Sequence, residues 1–540
     1  MGAIVQDINT EIAVIGAGPC GSVLAHRLAA AGRKVLLVDR GDWQEPGAID
    51  RSAPDYDLQR RGAFNANPNL RRGPADDPVD DSQSPIKPMI GNAVGGGSVW
   101  WSAHVPRFRP EDFRSRSLDG VGEDWPISYA DLAPYYDQVE ALWGVASVLC
   151  DPSAMPDRKG PVKLLPSIGA HGRRVTAALD RMGWHWWPVD LVVGREVIRE
   201  ADLCTHPGPC DIGCPARYRS GADRIVAEAV EHGASLMTNT RVQRLELGVR
   251  DRVTAAVCRR GNTTFRLTAK TFVLAAGGMG TPRLLLLSAC DRFPDGLANS
   301  SGLVGRNLML HPYARVDGQF PEPVGALAPH EIAGIVCLEF LASRSETRAK
   351  RGVKLQLVAG PGPVALARGG GTGQPLPWGQ GHHAAFAARF DRICGFTVCA
   401  EDLPDPENRI TLSADLIDRD GQPAAKWIYK VSQNSRRLLD HGMDRAAEAL
   451  TEAGATHIYR TPLRDQAGFH IAGTARMGAD PDGSVTDPTG RCHDLENLFV
   501  ADASTFVTAS CLNPTSTAQA LALRIADYIL GKPAPSTDDL

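Results

Sequence analysis

The N-terminal stretch Glu11-Ile12-Ala13-Val14-Ile15-Gly16-Ala17-Gly18-Pro19-Cys20-Gly21 decides the fold of this chain. Its apolar run is typical of a short buried strand, and an Ala/Leu-rich helix is predicted from Ser22 to Ala31. A second strand, predicted from Lys34 to Val38, ends at Asp39. This order of elements indicates a dinucleotide-binding, Rossmann-like α/β fold, in which a strand is followed by a glycine turn, a helix, a second strand and an acidic residue.

Each glycine of this turn has a predicted role. Gly16 permits the tight turn, Gly18 lets the backbone approach a pyrophosphate, and Gly21 lets helix and strand pack closely. The helix N-terminus offers free N–H groups to the phosphates. Asp39 is expected to bind the adenosine ribose, and its charge argues against a 2′-phosphate and therefore against NADP. The motif alone does not separate FAD from NAD.

Composition is consistent with a large enzyme. A chain of 540 residues with 43% hydrophobic residues is expected to form two or more domains with substantial cores. The formal net charge of −4 gives no reason to expect nucleic acid or an acidic membrane surface as a partner. No apolar run reaches the roughly 20 residues that a membrane span needs. No signal peptide is visible, so we expect a cytoplasmic protein, although export with a signal-bearing partner would leave the same sequence.

A second glycine run, Gly95-Gly96-Gly97-Ser98, is followed by Val99 and two tryptophans. Because glycine is costly to order, such a run indicates close approach of the backbone to something flat or anionic. Trp100 and Trp101 suit stacking on a sugar ring or an aromatic group, but tryptophans are also common core anchors.

Near the C-terminus, His470 precedes a Gly/Asp/Ser-rich region that leads to Asn513-Pro514 and an amphipathic helix predicted from Ala518 to Ile529. A neutral imidazole can accept a proton near neutral pH, and a nearby carboxamide can orient the same substrate oxygen. A histidine in a loop is nevertheless more often a structural hydrogen-bonding group than a base.

Three of the 12 cysteines, Cys204, Cys210 and Cys214, lie in a loop rich in proline and glycine. Most cysteines of such a chain are expected to be reduced and buried. These three thiols could hold a three-iron, four-sulfur cluster. With His206 they could form a Cys₃His zinc site, or they could simply pack inside.

Between the two ends, further elements of an α/β domain and of a second sheet are predicted. The segment Ala359 to His383 holds eight glycines and four prolines and is expected to be a mobile loop, either a lid over the substrate or a disordered insertion. Helices are predicted from Ser128 through Trp143, from Ala222 to Glu231 and from Pro282 to Ser288, and strands at Val353 to Val358, Phe386 to Phe390 and Cys394 to Ala400.

The motifs together resemble the glucose-methanol-choline (GMC) oxidoreductases, a family of FAD-dependent alcohol-oxidising enzymes. The resemblance covers most of the chain. It rests on Gly16-x-Gly18-x-x-Gly21 with Asp39, Gly95-Gly96-Gly97-Ser98, Ala275-Ala276-Gly277-Gly278-x-Gly280-Thr281-Pro282, Gly302 to Pro312, and the pair His470 and Asn513 in the contexts His-x-x-Gly-Thr and Asn-Pro.

The resemblance implies an FAD-binding domain built from residues 1–41, 91–105, 220–312 and 465–535, and a substrate domain with a mixed or antiparallel sheet over residues 313–464. Residues 42–90 and 106–219 would form excursions that cover the flavin and include the cysteine loop. It implies FAD binding by Gly16, Gly18, Gly21, Asp39, Gly95, Gly96, Gly97, Ser98, Val242, Ala276, Gly277, Asp502, Asn513, Pro514 and Thr515. Asp502 could contact the pyrophosphate region through water or backbone, or cap the following turn.

The same resemblance implies a mechanism and a range of substrates. His470 would remove the alcohol proton, Asn513 would hydrogen-bond the same oxygen, and hydride would pass to the flavin N5. The bacterial branch with pyranose and glycoside oxidases and sugar dehydrogenase flavoproteins is the most similar, on the evidence of Asp124 to Tyr129, Trp101 with Pro106-Arg107-Phe108, and Cys492 to Val500. Fungal pyranose oxidases link FAD to a histidine where Trp100 stands here, so noncovalent FAD is expected.

A sugar or glycoside is therefore the expected substrate. An aminoglycoside or another natural-product alcohol is the nearest alternative, and a non-redox flavin lyase of the same fold is a further one. The cysteine loop is similar to the iron–sulfur loop of membrane-linked glucose dehydrogenases, which raises an electron-transfer subunit as another possibility. Oxygen, a quinone or a protein could reoxidise the flavin, and the oligomeric state does not follow from the sequence.

Overall fold

The structure is a computed structural model that describes residues 7–44, 62, 64–148, 158, 167–194, 221–325 and 334–533. The strands are β1 (Asp7–Ile15), β2 (Val35–Val38), β3 (Val79–Gln83), β4 (Val145–Ala146), β5 (Trp186–Pro188), β6 (Leu191–Val192), β7 (Ser235–Met237), β8 (Thr240–Leu247), β9 (Val253–Arg260), β10 (Thr263–Leu274), β11 (Tyr313–Gln319), β12 (Ile335–Cys337), β13 (Val353–Ala359), β14 (Ile393–Ala400), β15 (Arg409–Ile417), β16 (Pro423–Ile428), β17 (His457–Thr461) and β18 (Leu498–Val500). The α-helices are α1 (Pro19–Ala30), α2 (Pro68–Arg71), α3 (Ser115–Asp119), α4 (Tyr129–Trp143), α5 (Gly169–Met182), α6 (Ala222–Glu231), α7 (Gly277–Leu287), α8 (Pro363–Ala367), α9 (His382–Ala387), α10 (Gln433–Glu452) and α11 (Thr515–Ile529), and 3-10 helices span Gly96–Trp100, Pro110–Phe113, Ser345–Thr347 and Ala503–Thr505.

The first sheet joins strands from widely separated parts of the sequence. Its path runs β7-β2-β1-β10-β9-β8, with parallel pairing as far as β10 and antiparallel pairing beyond it. The long strand β10 serves both arrangements, because its first half pairs with β9 and its last residues pair in parallel with β18. The predicted α/β class, with a nucleotide-type sheet assembled from discontinuous segments, is confirmed.

The turn between β1 and α1 has the tight geometry predicted from its glycines. Gly16 has a φ of 109°, and a Cβ atom there would lie 2.3 Å from the carbonyl oxygen of Ala275. A Cβ atom on Gly21 would lie 1.9 Å from the carbonyl oxygen of Gly16. Both positions therefore require glycine, because any larger residue would push the helix away from the strands.

The second sheet, β17-β11-β14-β13-β12-β5, is antiparallel throughout. Helix α10 packs on β11, β13 and β14 and buries an apolar core that includes Leu355, Phe396 and Leu450. A smaller sheet, β15-β16-β3, lies beside helix α7. The predicted second sheet is therefore confirmed, while the predicted domain boundaries remain a prediction.

Three local predictions need correction. The strand predicted at Phe386 to Phe390 is wrong: α9 ends at Ala387, and the two phenylalanine rings stack 4.9 Å apart with the spacing of one helical turn. The segment from Ala359 to His383 is not a continuous irregular loop, because it contains α8 and the start of α9 and buries Leu366. Helix α7 begins at Gly277 rather than Pro282, because the carboxylate of Asp502 accepts the Gly277 N–H across 2.9 Å.

Within the described ranges, none of the helices is both long enough and apolar enough to span a membrane.

Candidate active site

A single cavity of about 1430 Å³ contains most of the residues that the sequence singled out. This volume exceeds the roughly 300–1,000 Å³ typical of small-molecule sites, so a large cofactor and a substrate can share it. The predicted residues that line it are Gly16, Gly18, Asp39, Gly96, Gly97, Ser98, Trp100, Trp101, Val242, Ala276, Gly277, His470, Asp502, Asn513, Pro514 and Thr515. The predicted cofactor residues Gly21 and Gly95 are not among the lining residues. Both pack against neighbouring backbone atoms, Gly21 against Gly16 and Gly95 against Asp223.

The two glycine motifs pack directly on each other. A Cβ atom on Gly96 would lie 3.0 Å from the Cα atom of Gly18, and the Gly95 N–H donates to the carbonyl oxygen of Ala17 across 2.8 Å. The Ser98 hydroxyl donates to the carbonyl oxygen of Gly95 and accepts the N–H of Ala222 at the start of α6. Ser98 therefore fixes the shape of the second glycine run.

The cavity wall suits an anionic dinucleotide. Helices α1 and α11 begin at the cavity, behind Gly18 and Pro514, and neither N-terminus has a side-chain cap or an acidic residue in its first turn. Uncapped N–H groups and the helix dipole favour phosphate or another electronegative group at such positions. The half-buried carboxylate of Asp39 accepts the N–H groups of Ala17 and Gly41 at 2.8 and 2.7 Å and lines the cavity. These residues fit the dinucleotide part of FAD.

The sequence left two roles open for Asp502, a contact to the pyrophosphate region and a cap on the following turn. The structure shows the cap. One carboxylate oxygen accepts the N–H and hydroxyl of Ser504, and the other accepts the Gly277 N–H and the Thr281 hydroxyl at 2.6 Å. Burial raises the pKa of Asp502, while these hydrogen bonds oppose the rise. Asp502 thus joins the start of α7 to the turn that follows β18.

The two tryptophans of the second glycine run both line the cavity, but they have different neighbours. The guanidinium group of Arg71 lies 4.8 Å from the ring centre of Trp100. Trp101 packs against Trp143 with ring centres 5.2 Å apart, and its indole N–H has no protein partner within the described structure. Trp101 therefore has the expected core contact, and its buried indole N–H is left without a partner there.

His470 lies against two residues of the segment that enters the second sheet. Its Nδ1 atom is 2.8 Å from Nδ1 of His311 and 3.3 Å from the hydroxyl of Tyr313. Burial, followed by the neighbouring charges of His311, Lys354 and His104, lowers the pKa of His470 well below its usual range. His470 is therefore neutral at neutral pH, as a base must be before it accepts a proton.

The tautomer of His470 follows from its partner. Nε2 of His311 lies 3.3 Å from the carbonyl oxygen of Ala509, which can only accept, so Nε2 carries hydrogen. Burial lowers the pKa of His311 to about 3, so the neutral ring has a bare Nδ1. Nδ1 of His470 must then donate to it, which leaves Nε2 of His470 with a free lone pair. No described residue hydrogen-bonds to that Nε2 atom.

Asn513 is buried apart from its contact with the cavity. Its Oδ1 atom accepts a hydrogen bond from Nζ of Lys354 across 2.5 Å. The chain before Asn513 passes through Ser510, whose φ is +54° and whose hydroxyl donates to the carboxylate of Asp112 at 3.0 Å. Asp112 in turn accepts from Arg351 at 2.7 Å, so a buried ion pair holds the segment that carries Asn513.

Sequence reasoning missed the residues that surround this pair. His311 was part of a recognised motif without a role of its own, and Tyr313 and His104 were not singled out. Lys354 had a visible signal, a lysine between the apolar residues Val353 and Leu355 in a buried part of a strand. None of these signals indicates which distant residue each side chain contacts.

The proposed iron–sulfur or zinc loop, with Cys204, Cys210, Cys214 and His206, lies outside the described residues. Within the described ranges no group of three or more His, Cys, Asp or Glu side chains is arranged to hold a metal ion. An iron–sulfur cluster at this loop is not supported.

Two models of the GMC oxidoreductase family match the chain, one over residues 11–313 and the other over residues 404–522. The chain belongs to the GMC oxidoreductase family. Enzymes of this family are FAD-binding flavoproteins that act on alcohol donors, so this GMC protein is a flavin-dependent oxidoreductase.

Several relatives align over almost their whole length. The chain is 35% identical to 2-methyl-1,2-propanediol dehydrogenase of Mycolicibacterium austroafricanum, over 96% of this chain and 95% of the relative. It is 32% identical to the fructose dehydrogenase large subunit of Gluconobacter japonicus (97% and 98%) and 30% identical to paromamine 6′-oxidase of Streptomyces fradiae (96% and 91%). Among solved structures, pyridoxine 4-oxidase from Mesorbium loti shares the fold with a TM-score of 0.65 at 18% identity, covering 97% of this chain and all of that one.

Proposed function

We propose that this GMC oxidoreductase oxidises a hydroxyl group of a sugar or glycoside to a ketone, with His470 as the base and Asn513 as a second contact to the same oxygen. One observation carries the proposal. Both side chains line the same cavity, and the hydrogen bond to His311 leaves the Nε2 lone pair of His470 free.

The residues of the site perform the proton transfer. His470 takes the hydroxyl proton at Nε2, and its Nδ1–H bond to His311 strengthens as the ring becomes positively charged. Asn513 hydrogen-bonds the alcohol oxygen as negative charge develops there. Bound FAD supplies the acceptor for the hydride that leaves the carbinol carbon. Noncovalent FAD remains our expectation, because Trp100 has no nucleophilic group.

The charges that line the cavity favour a neutral alcohol over a polycationic aminoglycoside. Among the described lining residues, every carboxylate already has cationic or N–H partners. Asp77 pairs with Arg40 and Arg283, and Asp418 pairs with Arg283. Asp420 lies 3.3 Å from Arg259, and Asp39 and Asp502 accept the hydrogen bonds described above.

Positive charge also acts on the base. Lys354 is among the groups that lower the pKa of His470, and Arg464 lines the same cavity. An ammonium group near the reacting hydroxyl would therefore meet positive charge and no free carboxylate among the described lining residues. Two similar relatives are named for uncharged polyols, fructose and 2-methyl-1,2-propanediol, which supports an uncharged polyol as the substrate.

Anaerobic reduction of the bound flavin tests the function. Purified protein is mixed without oxygen with glucose, fructose, a methyl glucoside, 2-methyl-1,2-propanediol or paromamine, and the visible flavin absorbance is followed. We expect a neutral sugar or glycoside to bleach the flavin, faster than paromamine does at equal concentration. Preferential bleaching by paromamine would refute the substrate class, and a flavin that no alcohol bleaches would favour the lyase alternative.

A further inference from the structure

Lys354 is buried beside the candidate active site without a carboxylate partner. It lies on β13 opposite Cys399, its side chain is 2% exposed, and no ion pair to it occurs within the described structure. Its hydrogen bond goes to Oδ1 of Asn513 across 2.5 Å. Burying an ammonium group without a counter-charge is costly, so an apolar side chain here would make the strand more stable. The amine is therefore better explained by what it does to Asn513 than by packing.

The contact decides which end of the Asn513 amide faces the lysine. An ammonium group has three donors and no acceptor, so it selects the oxygen of a carboxamide rather than its nitrogen. With Oδ1 engaged in this way, the two N–H groups of Nδ2 remain available. Asn513 lines the cavity, so these donors are the groups that it can offer to a ligand there.

We propose that Lys354 is a positioning residue that fixes the orientation of the Asn513 amide, so that Nδ2 rather than Oδ1 faces the substrate oxygen. The inference rests on the proposed function. It changes the chemical character of the contact: Asn513 acts as a donor to the oxygen that becomes negatively charged, and it does not compete with His470 for the hydroxyl proton.

The surroundings of Lys354 are consistent with this role. The titratable groups around it are Cys399 on β14, Cys511 two residues before Asn513, and the imidazoles of His311 and His470. Burial lowers the pKa of Lys354, and the lysine in turn lowers the pKa of both histidines. The ammonium form is the one that selects Oδ1, because a neutral amine could also accept a hydrogen bond from Nδ2.

A double-mutant cycle tests whether Lys354 acts through Asn513. The rate constant of anaerobic flavin reduction is measured for the parent, Lys354→Met, Asn513→Ala and the double variant. We expect Lys354→Met to slow reduction by roughly 10- to 100-fold, as the loss of an oriented hydrogen bond implies. The double variant should then lie within about threefold of Asn513→Ala alone, because the two residues act as a unit. Multiplicative losses, or a Lys354→Met rate within twofold of the parent, would overturn the inference.

Two comparisons separate positioning from loss of structure. Leu355→Val, at the next position on the same strand, should lower the thermal unfolding midpoint while leaving the reduction rate unchanged, because Leu355 packs in the core of the second sheet. Lys354→Gln keeps an N–H donor on a shorter side chain and should retain more activity than Lys354→Met. It also replaces Lys354→Met in the cycle if the latter does not fold.

Neutron crystal structures of the parent and Lys354→Met, which distinguish Nδ2 from Oδ1, give a readout that does not depend on turnover. We expect the Asn513 amide to rotate, or to occupy two orientations, once Nζ is removed. An unchanged amide would overturn the Lys354 proposal even if no alcohol reduced the flavin. A flavin that no alcohol reduces would by itself refute the proposed function and not the role of Lys354. Failure of the proposed function and failure of the Lys354 proposal are therefore distinguishable.

Discussion

Two substitutions of His311 test whether its hydrogen bond to His470 sets the tautomer of the base, because one removes the acceptor and the other keeps it. His311→Leu removes the acceptor for Nδ1 of His470 at nearly constant volume. His311→Gln keeps both functions of the ring, because its amide N–H can reach the carbonyl oxygen of Ala509 while its carbonyl accepts from His470. We expect the leucine variant to be slow and the glutamine variant to approach the parent.

The magnitude follows from the cost of an unmade hydrogen bond. In His311→Leu, the tautomer that serves as base would leave a buried Nδ1–H without an acceptor, at a cost of about 1–3 kcal/mol. The ring can avoid this cost by moving its hydrogen to Nε2, which removes the lone pair that takes the substrate proton. The productive tautomer would then fall by about 5- to 150-fold, and the reduction rate with it.

Stopped-flow mixing without oxygen measures this rate from the loss of the visible flavin absorbance. Flavin content and the thermal unfolding midpoint are recorded for each variant, so that loss of cofactor or fold is not mistaken for loss of the base. A leucine variant within twofold of the parent, or a glutamine variant as slow as the leucine variant, would refute the assignment of the tautomer.

Three further predictions concern the base, its pH dependence and a buried ion cluster. His470→Ala should lower the reduction rate by about 10²- to 10⁴-fold in protein that still holds FAD, and retention within a few-fold would show that another group is the base. Because burial lowers the pKa of His470, its basic form persists as pH falls. The midpoint of the decline in reduction rate should therefore lie well below the ordinary histidine pKa of about 6.5, and a midpoint at or above that value would contradict the burial argument. Asp77→Ala should lower the free energy of unfolding by roughly 3–5 kcal/mol, because Arg40, Arg241 and Arg283 lose their shared carboxylate. As a control, Asp444→Ala removes the exposed partner of Arg460 and should lower the free energy of unfolding by at most about 1 kcal/mol. Chemical denaturation measures both variants, and equal losses would show that the Asp77 ion pairs add no stability.

Local sequence predicted the parts of this fold that local physics determines. The helix predicted over 222–231 matches α6 residue for residue, and the helix predicted from Ser128 through Trp143 matches α4, which Ser128 caps. Gly16 and Gly21 likewise occupy positions where a side chain would collide with the backbone. In each case the deciding contacts lie within a few residues or follow from a recurrent strand–turn–helix unit.

Long-range contacts could not be predicted in the same way. The cap that starts α7 at Gly277 comes from Asp502, 225 residues away, and the partners of His470 and Asn513 each lie 159 residues away. The sequence indicated that these polar residues had a function, but their partners depend on how the second sheet meets the first. The orientation of an imidazole or an amide depends on just such partners.

The carbonyl oxygen of Ala509 sets the direction of the whole imidazole pair, and it belongs to the main chain. Substituting residue 509 cannot remove that acceptor; only a change in the path of the backbone can. A relative that keeps this path and both histidines inherits the same base, facing the same way, whatever alcohol it oxidises. Substrate preference can therefore change through the cavity wall while the direction of proton transfer remains fixed by the fold.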